Sequence, residues 1–223
     1  MCRQGRYRTD WKAEEDSMNR LFPMYVKLEG RNVLVVGAGR VAEGKIEGLL
    51  NTGARVRVIA LQATQRVHEW ARAREIILEQ RAFSPADLNG IFLVVVATSS
   101  SQLNELVFLE CRARGILCNV VDVPPQCDFF YPAVVRRGDL QIAISTAGQS
   151  PSLAQTLRLQ LERQFGPGYG DWVAELGRTR REVLPSNLEP EQKRFLLQSL
   201  ASQSALEAMV SARASRRQEG EAA

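Results

Sequence analysis

The sequence is poor in the features that mark membrane and secreted proteins. Its 223 residues contain no apolar run near the ~20 residues that a membrane-spanning helix needs. The N-terminus, MCRQGRYRTDWKAEEDSMNRLFP, lacks the apolar core of a secretory signal peptide. We therefore expect a cytoplasmic protein without membrane contact. We also expect the polar, patternless residues 1–17 to be disordered.

Histidine and cysteine are scarce. His68 is the only histidine, and the four cysteines form no C-x-x-C pair. These spacings disfavour a zinc site, and a disulfide framework is not expected in a cytoplasmic chain. A Ser-His-Asp or Cys-His catalytic site would have to use His68 as its base. We assign no metal ligands from the sequence.

The positive charge is modest and dispersed. The formal net charge is +4, and the basic residues are spread along the chain without an interleaved aromatic platform. Nucleic acid is therefore not an expected partner. Scattered arginine suits an anionic small substrate equally well.

A glycine-rich turn follows the first predicted strand, Asn32–Val36. Gly37, Gly39 and Ala42 have the spacing G-x-G-x-x-A, and a helix and a second strand, Arg55–Ala60, complete a β-α-β unit. In such units the glycines allow a tight turn and a close approach of a pyrophosphate to the backbone. We predict a dinucleotide site; a bare structural turn is the alternative.

The second strand lacks the acidic residue that usually binds the ribose of NAD. It ends in VIALQ, so that Leu61 and Gln62 stand at this position. Gln62 can hydrogen-bond a ribose, and no arginine follows it to pair with a 2′-phosphate. The choice between NAD and NADP stays open, and NAD is favoured.

Strand and helix patterns continue to alternate up to Pro124. Further strands are predicted at 75–79, Ile91–Ala97 and Ile116–Val121. This order predicts an α/β fold, a Rossmann-like doubly wound parallel sheet, in which ligands bind at the carboxyl ends of the strands. The residues at these ends are Gly37, Gly39, Arg40, Val41, Leu61, Gln62, Thr98, Ser99, Asn119 and Asp122.

The pattern changes after Pro124. The stretch YPAVVRRGDLQIAIST reads as a β-hairpin, and helices are predicted at 152–165, 171–184 and 190–214. We therefore expect a nucleotide-binding domain at 18–124, a hairpin and dimerisation section at 125–150 and a helical region at 151–214. Residues 215–223 are expected to form a disordered tail.

Two segments near this change carry further polar groups. Asp122, in CNVVDVPP, stands just past an apolar strand, where it can reach a bound cofactor or merely cap a turn. The segment STAGQSP offers hydroxyl groups and backbone amides, from Ser145, Thr146, Gly148 and Ser150. It predicts either an anion site or a plain helix N-cap.

These segments, in this order, resemble a known family. Five stretches are similar to those of precorrin-2 dehydrogenases, the N-terminal module of siroheme synthases. They are YVKLEGRNVLVVGAGRVAEGKIEGLL, ARVRVIA, VVVATSS, CNVVDVPPQCDFFYPAVVRRGDLQIAIST with the following GQSP, and LAQTLRLQLE. The resemblance covers about 18–184. It departs from the family at Ala38, where a glycine is usual, and at Gly44, where an arginine is usual.

The resemblance implies a homodimeric enzyme that oxidises precorrin-2 to sirohydrochlorin with NAD. It implies Asp122 as the central catalytic residue. It further implies nucleotide contacts at Arg40, Val41, Leu61, Gln62 and Thr98 and a tetrapyrrole site at Ser145, Thr146 and Ser150. Some members also insert ferrous iron to give siroheme. That activity stays open here, because chelatases usually offer soft or imidazole ligands, and His68 belongs to the nucleotide domain.

Two rival functions are also compatible with the sequence. A Rossmann domain with a dimerising helical region is also typical of an NAD-responsive sensor without turnover. That function explains the glycine loop but gives no role to the segments around Asp122 and Ser145. A dehydrogenase acting on another small molecule is the second rival.

Overall fold

The computed structural model describes residues 21–202 and 204–207. The expected disordered segments, 1–17 and 215–223, lie outside the described residues. The chain divides into two compact units, one formed by Phe22–Tyr131 and the other by Leu21 and the described residues from Pro132 onward. No helix in these described ranges is both long and apolar enough to cross a membrane.

The first unit contains a five-stranded parallel sheet. The strands are β1 (Asn32–Val36), β2 (Arg55–Ala60), β3 (Ile77–Gln80), β4 (Leu93–Val96) and β5 (Leu117–Val120). Their order is β3-β2-β1-β4-β5. The chain adds β2 and β3 on one side of β1 and then β4 and β5 on the other side, as in a Rossmann fold. The predicted fold class is thereby confirmed.

Helices cover both faces of the sheet. The helices are α1 (Arg40–Leu50), α2 (Gln65–Arg72) and α3 (Ser101–Ala113), with a 3-10 turn at Pro85–Leu88. Alternate residues of β1 enter two separate cores, because successive strand side chains point to opposite faces. Val33 packs in the core that contains Ile46 of α1, and Leu34 in the core that contains Val107 of α3. A strand buried on both faces explains the continuous apolar run in the sequence.

Strands β1 and β2 have the predicted bounds, whereas β4 and β5 are shorter than the apolar runs that predict them. β4 occupies only Leu93–Val96 of the predicted Ile91–Ala97. Its register with β1 pairs Val33 with Leu93 and Val36 with Val96, so the length of the neighbouring strand limits the ladder. These strand ends are set by pairing with other strands, and the local sequence pattern carries no information on that pairing.

The chain remains attached to the first unit beyond Pro124. A short 3-10 turn, Pro124–Gln126, leads into an antiparallel bridge between Asn119 and Cys127. The Asp128 carboxylate then accepts a hydrogen bond from the backbone N–H of Cys118 at 2.9 Å. These contacts hold the segment against β5, and the two units separate only after Tyr131.

The second unit begins with the predicted hairpin. Strands β6 (Ala133–Arg137) and β7 (Leu140–Ile144) are antiparallel. The helices α4 (Pro151–Gln164), α5 (Gly168–Val183) and α6 (Pro190–Leu200) follow. Arg137 of the hairpin donates to the carbonyl groups of Phe165 at 2.8 Å and Glu162 at 3.0 Å, which links β6 to the end of α4.

The last predicted helix, 190–214, is interrupted in the structure. α6 ends at Leu200, and helical backbone resumes only at 204–207. Ser202 stands at the start of the second helical segment, where its hydroxyl and carbonyl oxygens accept from the backbone N–H groups of Ala205 and Leu206. A serine used in this way starts a new helical turn instead of continuing the preceding one.

Candidate dinucleotide site and catalytic aspartate

The glycine turn after β1 is shaped by its neighbours. Gly37 has a φ of 105°, and its N–H donates to the carbonyl of Ile59 at 2.8 Å. A Cβ atom at Gly37 would lie 2.2 Å from the carbonyl oxygen of Ala97. A Cβ at Gly39, in contrast, would meet no atom within 4 Å. Gly37 is therefore required by the fold, whereas Gly39 leaves open space over the turn.

Helix α1 presents unsatisfied amides to that open space. Gly39 is its N-cap and supplies no side-chain hydrogen bond, so the first backbone N–H groups have no capping oxygen. Ala42 is fully buried at the start of the helix, where a small side chain lets the helix pack closely on the sheet. Free amides at the positive end of a helix dipole suit the pyrophosphate of a dinucleotide.

A cavity of about 680 Å³ extends along the carboxyl ends of the strands. The ends of β1, β2, β4 and β5 all contribute to its wall, together with the residues that follow β3. It contains most of the residues selected from the sequence: Gly37, Gly39, Arg40, Val41, Leu61, Gln62, Thr98, Ser99 and Asp122. The fold thus brings the nucleotide loop and the aspartate to one concave surface.

Thr98 is held in this wall by a residue that sequence reasoning missed. Its hydroxyl donates to Oδ1 of Asn104 at 2.6 Å, and Nδ2 of Asn104 donates back to the carbonyl of Thr98 at 3.3 Å. Asn104 is buried in α3. An asparagine on the otherwise apolar inward face of a helix was the available signal, since buried amides need partners.

Arg81 is a second residue that the sequence did not indicate. It follows β3 and lines the cavity beside Ala82 and Phe83. Its guanidinium donates to both carboxylate oxygens of Asp87, at 2.6 and 2.9 Å, and also contacts Glu79. These hydrogen bonds from Arg81 hold the pKa of Asp87 below its usual value. A positive side chain therefore lies in the same cavity as Gln62, although it is distant from it in sequence.

Asp122 occupies an unusual backbone conformation. Its φ is 62°, which is uncommon for any residue other than glycine and is best tolerated by asparagine and aspartate. The Cys127 thiol donates to the carbonyls of Val120 at 3.1 Å and Val123 at 3.3 Å, on either side of this turn. Burial raises the pKa of the Cys127 thiol, which keeps it protonated as a donor. A non-glycine residue held in this region is typical of functional sites.

Asn119 has a different place from the other strand-end residues. It is buried, it does not line the cavity, and its Nδ2 donates to the carbonyl of Phe129 at 2.7 Å. Its neighbours Cys118 and Val120 face the core on the α3 side, so Asn119 faces the opposite side. Its amide ties β5 to the segment that follows Pro124.

The predicted tetrapyrrole contacts belong to the second unit. Ser150 caps α4 by accepting from the N–H of Leu153 at 3.2 Å, and the Thr146 hydroxyl accepts from the N–H of Ser150 at 3.1 Å. Ser145 accepts from the N–H of Ala147 at 3.1 Å, and Gly148 has a φ of 82°. The capping alternative is thus present in the structure. The hydroxyls of Ser145, Thr146 and Ser150 retain further donor capacity, and their substrate contacts stay a prediction.

The cysteines that the structure describes and the histidine do not assemble into a metal centre. Cys111, Cys118 and Cys127 are free thiols, and His68 lies half-buried on α2. Within residues 21–202 and 204–207, no group of three or more His, Cys, Asp or Glu side chains is arranged to hold a metal ion.

Comparison with known proteins agrees with this geometry. A family model described as NAD(P)-binding matches residues 24–133, and one described as sirohaem biosynthesis protein central matches residues 137–164. A solved structure of SirC, a precorrin-2 dehydrogenase, is 27% identical with a TM-score of 0.74 and covers 90% of this chain and 100% of its own.

Curated relatives are longer than this chain. Siroheme synthase 1 of Yersinia enterocolitica is 42% identical over 164 residues, which are 72% of this chain and 34% of the relative. Siroheme synthase of Nitrosococcus oceani is 40% identical over 148 residues, which are 66% of this chain and 32% of the relative. The chain therefore spans about a third of the length of these relatives. By these matches it belongs to the family formed by precorrin-2 dehydrogenases and the N-terminal modules of siroheme synthases.

Proposed function

We propose that this protein oxidises precorrin-2 to sirohydrochlorin with NAD⁺. The observation that carries the proposal is the shared cavity of the glycine turn and Asp122. A dehydrogenation removes a hydride and a proton from the substrate, and the two acceptors must lie near each other. The structural likeness to a precorrin-2 dehydrogenase, which covers the whole of that chain, supports the choice of substrate.

The residues that would hold NAD are those around the glycine turn. The free amides at the start of α1 fit its pyrophosphate, and Gln62 stands where a ribose hydroxyl would be bound. When bound, NAD⁺ supplies the hydride acceptor. The open space over Gly39 fits this group, because a side chain there would fill the position of the phosphates.

Asp122 is the proposed proton acceptor. Its carboxylate is exposed at the end of β5, and a carboxylate oxygen takes the proton that leaves the tetrapyrrole. The turn that carries it is braced by Cys127, so the carboxylate is presented on a fixed backbone. The hydroxyl groups of Ser145, Thr146 and Ser150 are proposed to bind polar groups of the same substrate.

One assay tests this function against its rivals. Purified protein is mixed with precorrin-2 and NAD⁺, and the appearance of NADH and of the sirohydrochlorin spectrum is recorded. We expect both signals together, and we expect Asp122→Asn to lose them while it retains NAD binding. NAD binding without turnover would favour the sensor, and NADH formed only with another small molecule would favour a different dehydrogenase.

Iron insertion is a separate activity of the same proposed site. Asp122 can also accept the pyrrole protons that a metal ion displaces, and the family includes siroheme synthases. Ferrous iron would be a substrate in this reaction. The test is siroheme formation when the protein is mixed anaerobically with sirohydrochlorin and ferrous iron, compared with the same mixture without protein.

We further propose that the protein works as a homodimer in the cytoplasm. The dimer is implied by the family resemblance, and the free thiols of Cys111, Cys118 and Cys127 suit a reducing compartment. Light scattering coupled to size-exclusion chromatography measures the oligomeric state directly. A monomeric mass at micromolar concentration would refute the dimer.

A further inference from the structure

Lys45 lies on α1 close to the proposed catalytic turn, and neither NAD binding nor proton transfer as proposed above uses it. Its side chain is half-buried, and its Nζ lies 4.0 Å from the centre of the Tyr131 ring. An ammonium group over an aromatic face is stabilised by a cation–π interaction and is fixed in position by it.

The ring beneath Lys45 is part of a braced platform. Tyr131 packs on Phe129, with ring centres 5.7 Å apart, and the carbonyl of Phe129 accepts from Asn119 at 2.7 Å. Asn119 belongs to β5, three residues before Asp122. A continuous set of contacts within the first unit thus connects the position of Lys45 with the strand that carries the aspartate.

The charge of Lys45 is only partly compensated. Burial lowers the pKa of Lys45, and the negative charge of Asp122 acts in the opposite direction. Among the residues that the structure describes, Lys45 forms no salt bridge with a carboxylate. A desolvated ammonium with spare donors beside the proposed base suits an anionic ligand.

We propose that Lys45 binds a side-chain carboxylate of the tetrapyrrole substrate beside Asp122. This inference rests on the proposed function, since it takes precorrin-2, a polycarboxylate, as the ligand. An anionic side chain that approached the carboxylate of Asp122 without a cation would be repelled. Lys45 offsets this repulsion, orients the macrocycle over the aspartate and favours carboxylated substrates over neutral ones.

The experiment compares three variants of the full chain. Lys45→Met removes the charge but keeps an unbranched side chain over Tyr131, and Lys45→Arg keeps the charge. Lys27→Met removes the same charge from an exposed position in the same unit and serves as the control. The measurements are the dissociation constant of sirohydrochlorin from its absorbance, the KM for precorrin-2 from NADH formation, the affinity for NAD⁺ and the thermal midpoint.

We expect Lys45→Met to weaken sirohydrochlorin binding and raise the KM for precorrin-2 about tenfold or more, as for loss of a charge-assisted hydrogen bond. Lys45→Arg should stay within about threefold of the wild type, and the affinity for NAD⁺ should not change. The same tetrapyrrole with esterified carboxylates should bind the wild type and Lys45→Met equally. A purely structural role of Lys45 would not produce this dependence on the ester.

Unchanged sirohydrochlorin binding and unchanged KM in Lys45→Met would overturn the inference and leave the proposed function intact. An equal loss with the ester would also overturn it. If the wild type formed no NADH from precorrin-2, the proposed function would fail instead. The binding measurement would still decide whether Lys45 recognises a tetrapyrrole carboxylate, because it requires no turnover.

Discussion

Gly37 lies directly against Ala97, so closely that a Cβ atom at Gly37 would be 2.2 Å from the Ala97 carbonyl oxygen. The first residue of the glycine turn and the end of β4 therefore share a space that admits no side chain. Gly39, two residues later, has no such neighbour. The two glycines of the motif thus have different roles: Gly37 is needed for the fold, and Gly39 keeps space free for the ligand.

This difference predicts opposite consequences for two similar substitutions. Gly37→Ala should lower the free energy of unfolding by about 3 kcal/mol, because backbone must move and the φ of 105° is strained for alanine. Gly39→Ala should leave stability nearly unchanged and weaken NAD binding. Thermal denaturation and NAD titration measure the two effects. Gly44→Ala, with open space in α1, serves as the control and should not lower the thermal midpoint. Equal thermal midpoints for Gly37→Ala and Gly39→Ala would contradict this division of duties.

Asp122 gives a second prediction, because one substitution can remove its carboxylate without disturbing its backbone conformation. Asn tolerates a φ of 62° as well as Asp does, so Asp122→Asn should keep the thermal midpoint of the wild type. It should lower kcat for precorrin-2 oxidation by roughly 10²- to 10⁴-fold, the usual contribution of a general base. The affinity for NAD⁺ should remain. Steady-state rates, calorimetry and NAD titration check the three statements.

A matched control for this prediction is Asp139→Asn, which removes a carboxylate from the exposed tip of the hairpin. Its kcat should equal that of the wild type. Wild-type turnover by Asp122→Asn would remove the aspartate from the mechanism, whereas a large fall in its thermal midpoint would mean that the carboxylate stabilises the turn.

Acid sensitivity should arise in part from Asp87. Hydrogen bonds from Arg81 lower the pKa of Asp87 below its usual value, so the folded state holds the ionised form more strongly than the unfolded chain does. This contribution to stability is present above the unfolded pKa and is lost as the pH falls through the lower, folded value. Chemical unfolding between about pH 5 and about pH 3 should therefore show a steeper loss of stability in the wild type than in Asp87→Asn. Parallel curves for the two proteins would show that Asp87 contributes nothing to the pH dependence.

The sequence predicted the sheet better than it predicted the walls of the site. Apolar runs such as that of β1 predict strands correctly because both faces of the strand are buried. Gly37 and Asp122 were also placed correctly, since the order of strands and helices puts them at strand ends. Arg81 and Lys45 were missed because their positions depend on contacts between distant segments. Asn119 follows the same rule of strand ends, but the alternation along β5 turns its side chain into the core. The prediction missed the end of α6 because Ser202, which starts a new helical segment, gives no clear local signal in the sequence.

The last prediction concerns the preference for NAD⁺ or NADP⁺, which depends on the residues at the end of β2. Gln62 is exposed in the cavity and neutral, and Arg81 lines the same cavity. The described residues that line the cavity at the end of β2 include no carboxylate that would repel a 2′-phosphate. Gln62→Glu should place a carboxylate where the ribose hydroxyls bind. NAD⁺ should then bind as well or better, while NADP⁺ should weaken roughly tenfold or more by charge repulsion. Titrations of both nucleotides give the ratio, and Gln155→Glu, which adds the same charge in the second unit, should leave it unchanged. If the ratio in Gln62→Glu matched that of Gln155→Glu, the ribose would have to be bound elsewhere in the cavity.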